Sequence, residues 1–278
     1  TVYTPHNLLP HEKRWMLMPL YRMLYRAMDK VVARDQHIAW ALEELLDVNS
    51  DRVNFIPGSP NLLALKTAQT NEYSGFDLKR CPDEKRLLFF GHGSGRKGLD
   101  LLLDMLQQQQ WPEHYHLVLA GEGIISSACP EQIDRAREKI RITLIDQYVP
   151  AQKVAQLFSS ADVLLMPYTK QCKSPMLDLA AALKLPVLKS NRVNGADFRE
   201  LMHGVTFDLS DPYKMLEYLN DDDWIAASKS YLHSQVSTQH MMANLADEHL
   251  KMYRQLLERE KPRVEGLKLQ QQGSAITY

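Results

Sequence analysis

The chain has 278 residues, 45% of them hydrophobic and 24% charged, a composition that suits one large hydrophobic core or two modest ones. Lys and Arg (33) balance Asp and Glu (34), and the net charge of −1 removes the electrostatic reason to expect a nucleic-acid partner. No apolar run reaches the roughly 18 residues of a membrane span. The three separated cysteines, Cys81, Cys129 and Cys172, form neither a disulfide framework nor a CxxC metal site. These features predict a soluble, cytoplasmic protein.

Short strand and helix signals alternate in the first 66 residues. Four elements are predicted there: strand 1–5, helix 19–34 with Pro19 at its first position, helix 38–46 and strand 52–56. A strand over 31–33 is the competing interpretation of the end of the first helix. Residues 67–84 mix Thr, Asn, Ser, Gly and Pro without periodicity, and they are predicted to form a linker.

A regular alternation of strands and helices begins at residue 85 and continues to residue 212. The predicted strands are 86–90, 116–120, 142–144, 163–166, 187–188 and 205–208. The predicted helices between them are 99–109, 131–139, 151–158 and 176–183. Short, continuous apolar strands between amphipathic helices indicate a doubly wound parallel sheet that is covered on both faces. Residues 213–278 are predicted to form C-terminal helices (213–219, 223–231 and 243–258) and a frayed tail.

A glycine-rich turn, GHGSGRKG over residues 91–98, joins the first of these strands to its helix. Backbone amides at a helix N-terminus bind anions, so phosphate is the ligand that this position favours. Gly93, Gly95 and Gly98 also match the GxGxxG pattern of dinucleotide sites, with Glu122 placed to bind the ribose. A P-loop is excluded because glycine, not Ser or Thr, follows the lysine of this turn. A flexible turn without a ligand is the remaining interpretation.

Five sequence blocks follow one another from this turn onward. They are LFFG with RKGLDLLL (88–103), HLVLAGEG (116–123), VAQLFSSADVLLMPY (154–168), SPMLDLAAALKLPVL (174–188) and RELMHG (199–204). In these blocks the chain resembles the C-terminal, donor-binding domain of GT-B glycosyltransferases of the GT4-like group. The resemblance implies a GT-B fold, in which this Rossmann-like domain faces a second one across a cleft. Residues 1–66 resemble the end of that second domain, so we expect an incomplete N-terminal domain from a longer chain.

The resemblance implies a hexosyltransferase that binds a nucleotide diphosphate-sugar at the C-terminal ends of the strands. No metal or other cofactor is expected, and the anomeric configuration is expected to be retained. The implied acceptor is a glycan or a lipid-linked hydroxyl in bacterial polysaccharide or glycolipid synthesis.

The diphosphate site is assigned by matching residues one at a time. Lys97 matches the lysine that binds the donor diphosphate in the family. His92 replaces the arginine that usually follows the first strand, and Arg96 is placed to substitute for it. A cation beside a helix N-terminus offsets phosphate charge as the leaving group departs. The turn residues expected to complete this site are Gly91, Gly93, Gly95 and Gly98.

The acidic motif of the family is altered in this chain. Family members carry two glutamates here, whereas Gln171 or one of its neighbours stands at the first place and Leu179 at the second. Asp178 is the carboxylate available nearby, and we expect it to bind the ribose hydroxyls. An alternative role for Asp178 is to complement the dipole of its own helix. Ser174 is expected to be a further ligand of the donor.

Three further residues are assigned by the resemblance. Tyr148 and Val149 occupy the turn that packs on the nucleotide base in the family. His6 follows an N-terminal strand, where the family places a histidine facing the donor sugar. We expect His6 to orient the sugar or the acceptor, with a plain turn histidine as the alternative.

The predicted helix 19–34 carries Arg22, Arg26 and Lys30 at four-residue spacing, which makes a basic amphipathic face. Such a helix is suited to peripheral contact with the anionic inner surface of the cell membrane. The alternative is an ordinary domain helix whose basic side faces solvent. Two other functions stay open. One is a nucleotide-sugar-binding module without catalysis. The other is an NAD(P)-dependent oxidoreductase, for which no hydride-transfer residue is identifiable.

Overall fold

The computed structural model describes residues 1–5, 8–9, 14–34, 36–56, 80–128, 130–195, 198–235 and 243–258. The chain forms two compact units: unit 1 is Thr1–Ser59 with Thr238–Tyr278, and unit 2 is Pro60–Ser237. Each unit is α/β, and all the strand pairs in the described residues are parallel. The predicted fold class is confirmed. The predicted site residue His6 lies outside the described residues.

Unit 1 contains a three-stranded sheet in the order β1-β2-β3. Its elements are β1 (Val2–Tyr3), α1 (Arg14–Ala27), β2 (Lys30–Ala33), α2 (Gln36–Glu44), β3 (Val53–Phe55) and a helix over 243–258. Because side chains alternate along β2, Val31 faces a core with Tyr25, while Val32 faces Ile56 and Met252. The sheet of unit 1 is therefore covered on both faces, and the C-terminal helix covers one of them.

The predicted helix 19–34 is wrong at both ends. Helix α1 spans Arg14–Ala27, so Pro19 lies inside it, where it removes one main-chain hydrogen bond. The competing strand interpretation is confirmed, because the β-branched pair Val31 and Val32 forms the buried central strand. Lys30 belongs to that strand, and its buried ammonium donates to the main-chain oxygen of Asp51 at 2.7 Å. Lys30 is thus absent from the basic face.

Unit 2 contains a six-stranded parallel sheet in the order β11-β9-β7-β4-β5-β6. Its strands are β4 (Lys85–Phe90), β5 (Tyr115–Ala120), β6 (Arg141–Ile145), β7 (Val163–Met166), β9 (Val187–Ser190) and β11 (Gly204–Phe207). Two further short strands, β8 (Cys172–Lys173) and β10 (Val193–Asn194), pair with each other outside this sheet. The predicted strands of this unit are confirmed, and β8 and β10 are additional.

Helices cover both faces of the large sheet, as the alternating pattern predicts. They are α3 (Leu99–Leu106), α4 (Ile124–Ser127), α5 (Pro130–Arg137), α6 (Ala151–Ser159), α7 (Met176–Ala182), α8 (Tyr213–Asn220) and α9 (Asp223–Gln235). Along β4, Leu87 and Phe89 face the core formed with α3, α5, α8 and α9. Leu88 faces the opposite core, formed with α6 and α7. Both cores hold the strand ends at fixed positions.

A network of ion pairs occupies the N-terminal end of the large sheet. The carboxylate of Glu84 accepts a hydrogen bond from Arg86 Nε at 2.7 Å and lies 2.9 Å from His116 Nδ1. The His116 Nε2 atom in turn lies 2.8 Å from the hydroxyl of Thr143. Burial alone would raise the pKa of Glu84, but the hydrogen bonds from His116, Arg86 and the Cys81 amide lower it to about 2. Arg86 is therefore buried together with its counter-charge.

The same end of the sheet pairs its other buried charges. Asp162 accepts hydrogen bonds from Arg80 and Lys229, each at 2.6 Å, and from the Arg86 amide at 2.8 Å. Burial would raise the pKa of Asp162, yet these hydrogen bonds keep it below its usual range. Lys85 pairs with Asp222 and also donates to the main-chain oxygen of Leu219. These pairs join the sheet to α8 and α9.

Candidate functional site

The topology of the large sheet predicts where a ligand binds. In doubly wound sheets the crevice lies at the C-terminal ends of the strands, where successive strands start to be added on the other side. Here that point lies between β4 and β7. Strands β5 and β6 lie on one side of β4, and strands β7, β9 and β11 lie on its other side. The chain leaves β4 and β7 through residues 91–98 and 167–175. Most of the predicted site residues lie in these two segments.

Close packing explains several glycines of the turn. A Cβ atom on Gly98 would lie 2.0 Å from the main-chain oxygen of Pro167, and one on Gly93 would lie 1.8 Å from that of Gly123. Gly98 also adopts a φ of 69°, a region that favours glycine. Gly95 differs, because a Cβ atom there would meet nothing within 4 Å. The space beside Gly95 is thus open to a ligand.

Lys97 is buried at the centre of this site, with only 9% of its surface exposed. Its ammonium lies against Gly91, where a Cβ atom would come within 1.9 Å of Nζ, and 3.4 Å from the main-chain oxygen of Phe90. Among the described residues no carboxylate pairs with it. Burial and the neighbouring Arg96 lower the pKa of Lys97 to about 8, against an opposing effect of Cys172. Lys97 is therefore a buried cation for which the described part of the chain supplies no counter-ion.

Hydrogen bonds join the two segments that border the crevice. The Thr169 amide donates to the main-chain oxygen of Arg96 at 2.9 Å, and the Thr169 hydroxyl donates to that of Gly95 at 3.2 Å. Arg96, which precedes Lys97 in the chain, has an exposed side chain. Ser94 adds a second unpartnered group, since its buried hydroxyl makes no hydrogen bond with the described residues. Within the described residues, the turn therefore offers a cation without a counter-charge and a hydroxyl without a hydrogen bond.

Ser174 and Asp178 flank the start of α7. Ser174 is buried, and its hydroxyl accepts a hydrogen bond from the Met176 amide at 3.4 Å and contacts the Tyr168 hydroxyl. Asp178 is half-buried in the first turn of α7, whereas Leu179 is only 1% exposed and packs in the core. The helix therefore presents Asp178, not position 179, toward polar surroundings.

The turn after β6 lies at the same end of the sheet. Tyr148 is 71% exposed, and Val149 is buried in the core beneath it. Asp146 accepts hydrogen bonds from the Ile124 amide at 2.7 Å and the Ile125 amide at 3.3 Å, so it caps α4. That helix N-terminus is already satisfied by a carboxylate. The N-terminus of α3 is therefore the more favourable position for an anionic ligand.

His92 is exposed beside the turn at Gly123, where Glu122 is also exposed. Sequence reasoning missed Tyr168, Thr169 and Cys172, which the fold brings to the crevice. These residues follow the buried strand β7 and Pro167, and this position is the one feature of the sequence that could have identified them. The hydrogen bonds of Thr169 to the glycine-rich turn connect residues more than 70 positions apart, which no local pattern indicates.

Within the part of the chain that the structure describes, no group of three His, Cys, Asp or Glu residues is arranged to hold a metal ion. Its helices are also too short or too polar to span a bilayer.

Comparison with known proteins gives a family match for the domain that contains this site. Residues 84–221 match the family model "Glycosyl transferases group 1". No curated protein sequence matches the chain. Among solved structures, a glycosyltransferase from Rickettsia africae is 16% identical with a TM-score of 0.62, covering 92% of this chain and 70% of that one.

Two further solved structures have the same fold. HepE from Anabaena, solved in complex with UDP, is 15% identical with a TM-score of 0.61, covering 90% of this chain and 72% of that one. Sucrose-phosphate synthase from Thermosynechococcus elongatus is 18% identical with a TM-score of 0.63, covering 93% of this chain and 68% of that one. Residues 84–221 therefore match the group 1 glycosyl transferases, and the chain has the GT-B fold of the solved glycosyltransferases.

Proposed function

We propose that this glycosyltransferase takes its sugar from a nucleoside diphosphate-sugar bound in the crevice between β4 and β7. The single observation that carries the proposal is Lys97, a buried ammonium without a carboxylate partner in the described residues. A buried, unpaired charge is costly, and a diphosphate supplies the missing counter-charge. The oxidoreductase alternative does not explain the match of residues 84–221 to a glycosyl transferase family.

The diphosphate is assigned to Lys97, Arg96 and the amides around Gly95. As the sugar–phosphate bond breaks, negative charge accumulates on the departing diphosphate. Cations that are already in place stabilise that charge without reorganisation, which lowers the barrier. The open space beside Gly95 lets the ligand approach the main chain, and the unpaired hydroxyl of Ser94 is a further donor toward a phosphate oxygen.

The nucleoside is assigned to the two flanking elements. Asp178 at the start of α7 accepts hydrogen bonds from the ribose hydroxyls, and Ser174 fixes the start of that helix. The exposed ring of Tyr148 and the main chain of Val149 pack on the base. His6 is proposed to orient the donor sugar or the acceptor, as the family resemblance implies. The same resemblance implies retention of the anomeric configuration, and we propose that no metal or redox cofactor takes part.

The acceptor is proposed to be a glycan or lipid-linked hydroxyl in bacterial polysaccharide or glycolipid assembly. A structural neighbour, WaaG, is described as a glycosyltransferase involved in lipopolysaccharide biosynthesis. It is 16% identical, with a TM-score of 0.56, and covers 88% of this chain and 73% of that one. A cytoplasmic enzyme of this kind works at the inner face of the cell membrane, where lipid-linked acceptors are available.

Helix α1 supports peripheral contact with that membrane. Met16, Leu20 and Met23 are exposed at helical spacing, next to Arg22 and Arg26. An exposed apolar stripe beside cations suits the interface of an anionic bilayer. We expect sedimentation with phosphatidylglycerol vesicles to fall for the Met16→Ser, Met23→Ser double variant. Equal sedimentation of the variant and the wild type would argue against this contact.

Calorimetric titration with UDP, GDP, ADP and NAD tests the donor assignment. We expect one nucleoside diphosphate to bind, NAD not to bind, and the corresponding nucleotide-sugar to be hydrolysed slowly. Asp178→Asn is expected to weaken binding of the diphosphate and of the nucleoside alike, since it removes a ribose contact. Lys97→Met is expected to weaken the diphosphate only. Binding without turnover would favour the non-catalytic binding module, and binding of NAD alone would contradict the proposal.

A further inference from the structure

Thr169 contacts the glycine-rich turn with both its amide and its hydroxyl. The amide donates to the main-chain oxygen of Arg96 at 2.9 Å. The hydroxyl lies 3.2 Å from the main-chain oxygen of Gly95 and 3.3 Å from that of Arg96. The methyl group lies beside Gly98, where a Cβ atom would come within 3.3 Å of Thr169 Cγ2. The binding of a diphosphate by the turn, as proposed above, uses no atom of Thr169.

The main chain next to Thr169 is fixed by buried groups. The main-chain oxygen of Tyr168 accepts a hydrogen bond from the fully buried hydroxyl of Ser190 at 2.6 Å. The side chain of Tyr168 is also buried, packs in the core with α6 and α7, and contacts the hydroxyl of Ser174. The large sheet and its helices therefore hold Thr169 in place, and its hydrogen bonds transmit that position to the turn.

The carbonyl groups that Thr169 contacts determine the direction of a neighbouring amide. In a trans peptide the N–H points opposite to the C=O, and the described residues contain no cis peptide. Because the Gly95 oxygen is held toward Thr169, the N–H of Arg96 points away from Thr169. Among the described residues, no group accepts a hydrogen bond from the amides of Gly95 and Arg96, and both residues are exposed. Two amide donors are thus left to an anion, directly before Lys97 in the chain.

We propose that Thr169 is a positioning residue of the donor site. It acts through the turn, by holding the Gly95 and Arg96 carbonyls so that the Arg96 amide is directed at the diphosphate. This inference rests on the proposed donor site. A peptide that is already oriented does not have to be ordered when the ligand binds, so the diphosphate binds more tightly. Fixed amides also stabilise the charge of the departing diphosphate without reorganisation.

Calorimetry with UDP and with uridine tests the proposal. Thr169→Val removes the hydroxyl and keeps the branched shape of the side chain. We expect its UDP affinity to fall about tenfold and its uridine affinity to stay within about twofold, since the nucleoside does not contact the turn. Thr169→Ser keeps the hydroxyl and is expected to bind UDP nearly as tightly as the wild type. Thr206→Val is the matched control, because it removes a half-buried hydroxyl that contacts Glu200 on β11.

Proton uptake separates the role of Thr169 from that of Lys97. Thr169→Val leaves the ammonium of Lys97 in place, so UDP binding at pH 8 should still take up protons as in the wild type, although the affinity is lower. Lys97→Met should lose both the affinity and the uptake. A general loosening of the fold would instead weaken UDP and uridine alike and would lower the free energy of unfolding. We expect Thr169→Val to unfold at nearly the same urea concentration as Thr206→Val.

The outcomes distinguish this inference from the proposed donor site. Unchanged UDP affinity in Thr169→Val overturns the positioning role and leaves the donor site standing. Equal weakening of UDP and uridine, or a Thr169→Ser variant as weak as Thr169→Val, overturns it as well. If the wild type binds GDP or ADP in place of UDP, that diphosphate and its own nucleoside are compared in the same way. Binding of none of the three diphosphates contradicts the donor site itself, and the inference with it.

Discussion

The two ends of the large sheet both bury charged side chains, but they treat them differently. At the N-terminal ends of the strands, Arg86 is fully buried against the carboxylate of Glu84, and Asp162 is held by Arg80 and Lys229. At the C-terminal ends, Lys97 is buried without a carboxylate partner among the described residues. Paired charges are tolerated inside a fold, whereas an unpaired one lowers stability. We infer from this difference that one end holds the domain together and that the other binds an anionic ligand.

The largest effect is expected from breaking a pair at the N-terminal end. Glu84→Gln leaves the buried guanidinium of Arg86 without its counter-charge, so the free energy of unfolding should fall by about 3–5 kcal/mol. Urea denaturation at pH 7 measures it. Glu217→Gln is the matched control, because it removes an exposed carboxylate on α8 and should cost less than about 1 kcal/mol. Similar losses for both variants would contradict the comparison.

The same pair predicts a pH dependence. The pKa of Glu84 is about 2 in the folded protein, below its ordinary value of 4.5. The unfolded state therefore binds more protons between these values, and stability contributed by Glu84 is lost as the pH falls from 4.5 to about 2. The stability difference between the wild type and Glu84→Gln should shrink over this range. A difference that stays constant below pH 4 would argue against the ionised pair.

An intermediate effect is expected at the glycine-rich turn. Gly98→Ala places a side chain at positive φ and against the oxygen of Pro167, so we expect a loss of about 2 kcal/mol in the free energy of unfolding. Gly95→Ala, in the same turn, adds a methyl group to open space and should barely change stability. It should instead weaken binding of a diphosphate, as measured by calorimetry. Equal destabilisation by both variants would contradict this distinction.

The smallest effect on stability is expected at Lys97. Lys97→Met removes an unpaired buried charge, so the free energy of unfolding should stay the same or rise, while diphosphate affinity falls at least about tenfold. The pKa of Lys97 is about 8 in the folded protein and 10.5 ordinarily, so the unfolded state binds more protons between these values. Wild-type stability should therefore gain from this group as the pH rises from about 8 to 10.5. A large loss of stability in Lys97→Met would mean that the lysine has a structural role.

The sequence predicts the large sheet well because its signals are local. Apolar runs such as 163–166 end at turn residues and alternate with amphipathic helices, and the structure has these elements within a few residues. The predicted C-terminal end of the first helix is wrong because the spacing of Lys30 is typical of an exposed helical residue, whereas the sheet of unit 1 buries it in β2. Packing within the sheet of unit 1 determines the structure at Lys30, and the local sequence pattern contains no information about that packing.

The candidate site was predictable only in part. The glycine-rich turn and Lys97 follow from the motif. That no carboxylate of the described residues pairs with Lys97 depends on what the fold places around it. The packing roles of Gly93 and Gly98 likewise depend on main-chain oxygens of other turns. These contacts form between segments distant in sequence, so their energies become apparent only in three dimensions.

Proton uptake on nucleotide binding tests most directly whether Lys97 awaits an anionic ligand. Calorimetric titration of UDP at pH 8, in two buffers of different ionisation enthalpy, measures the protons bound with the ligand. Because the pKa of Lys97 is about 8 and a diphosphate favours the ammonium, the wild type should take up about half a proton per site. Lys97→Met should take up none. Binding of UDP without proton uptake, or with the same uptake in both proteins, would contradict the assignment of Lys97 as the diphosphate ligand.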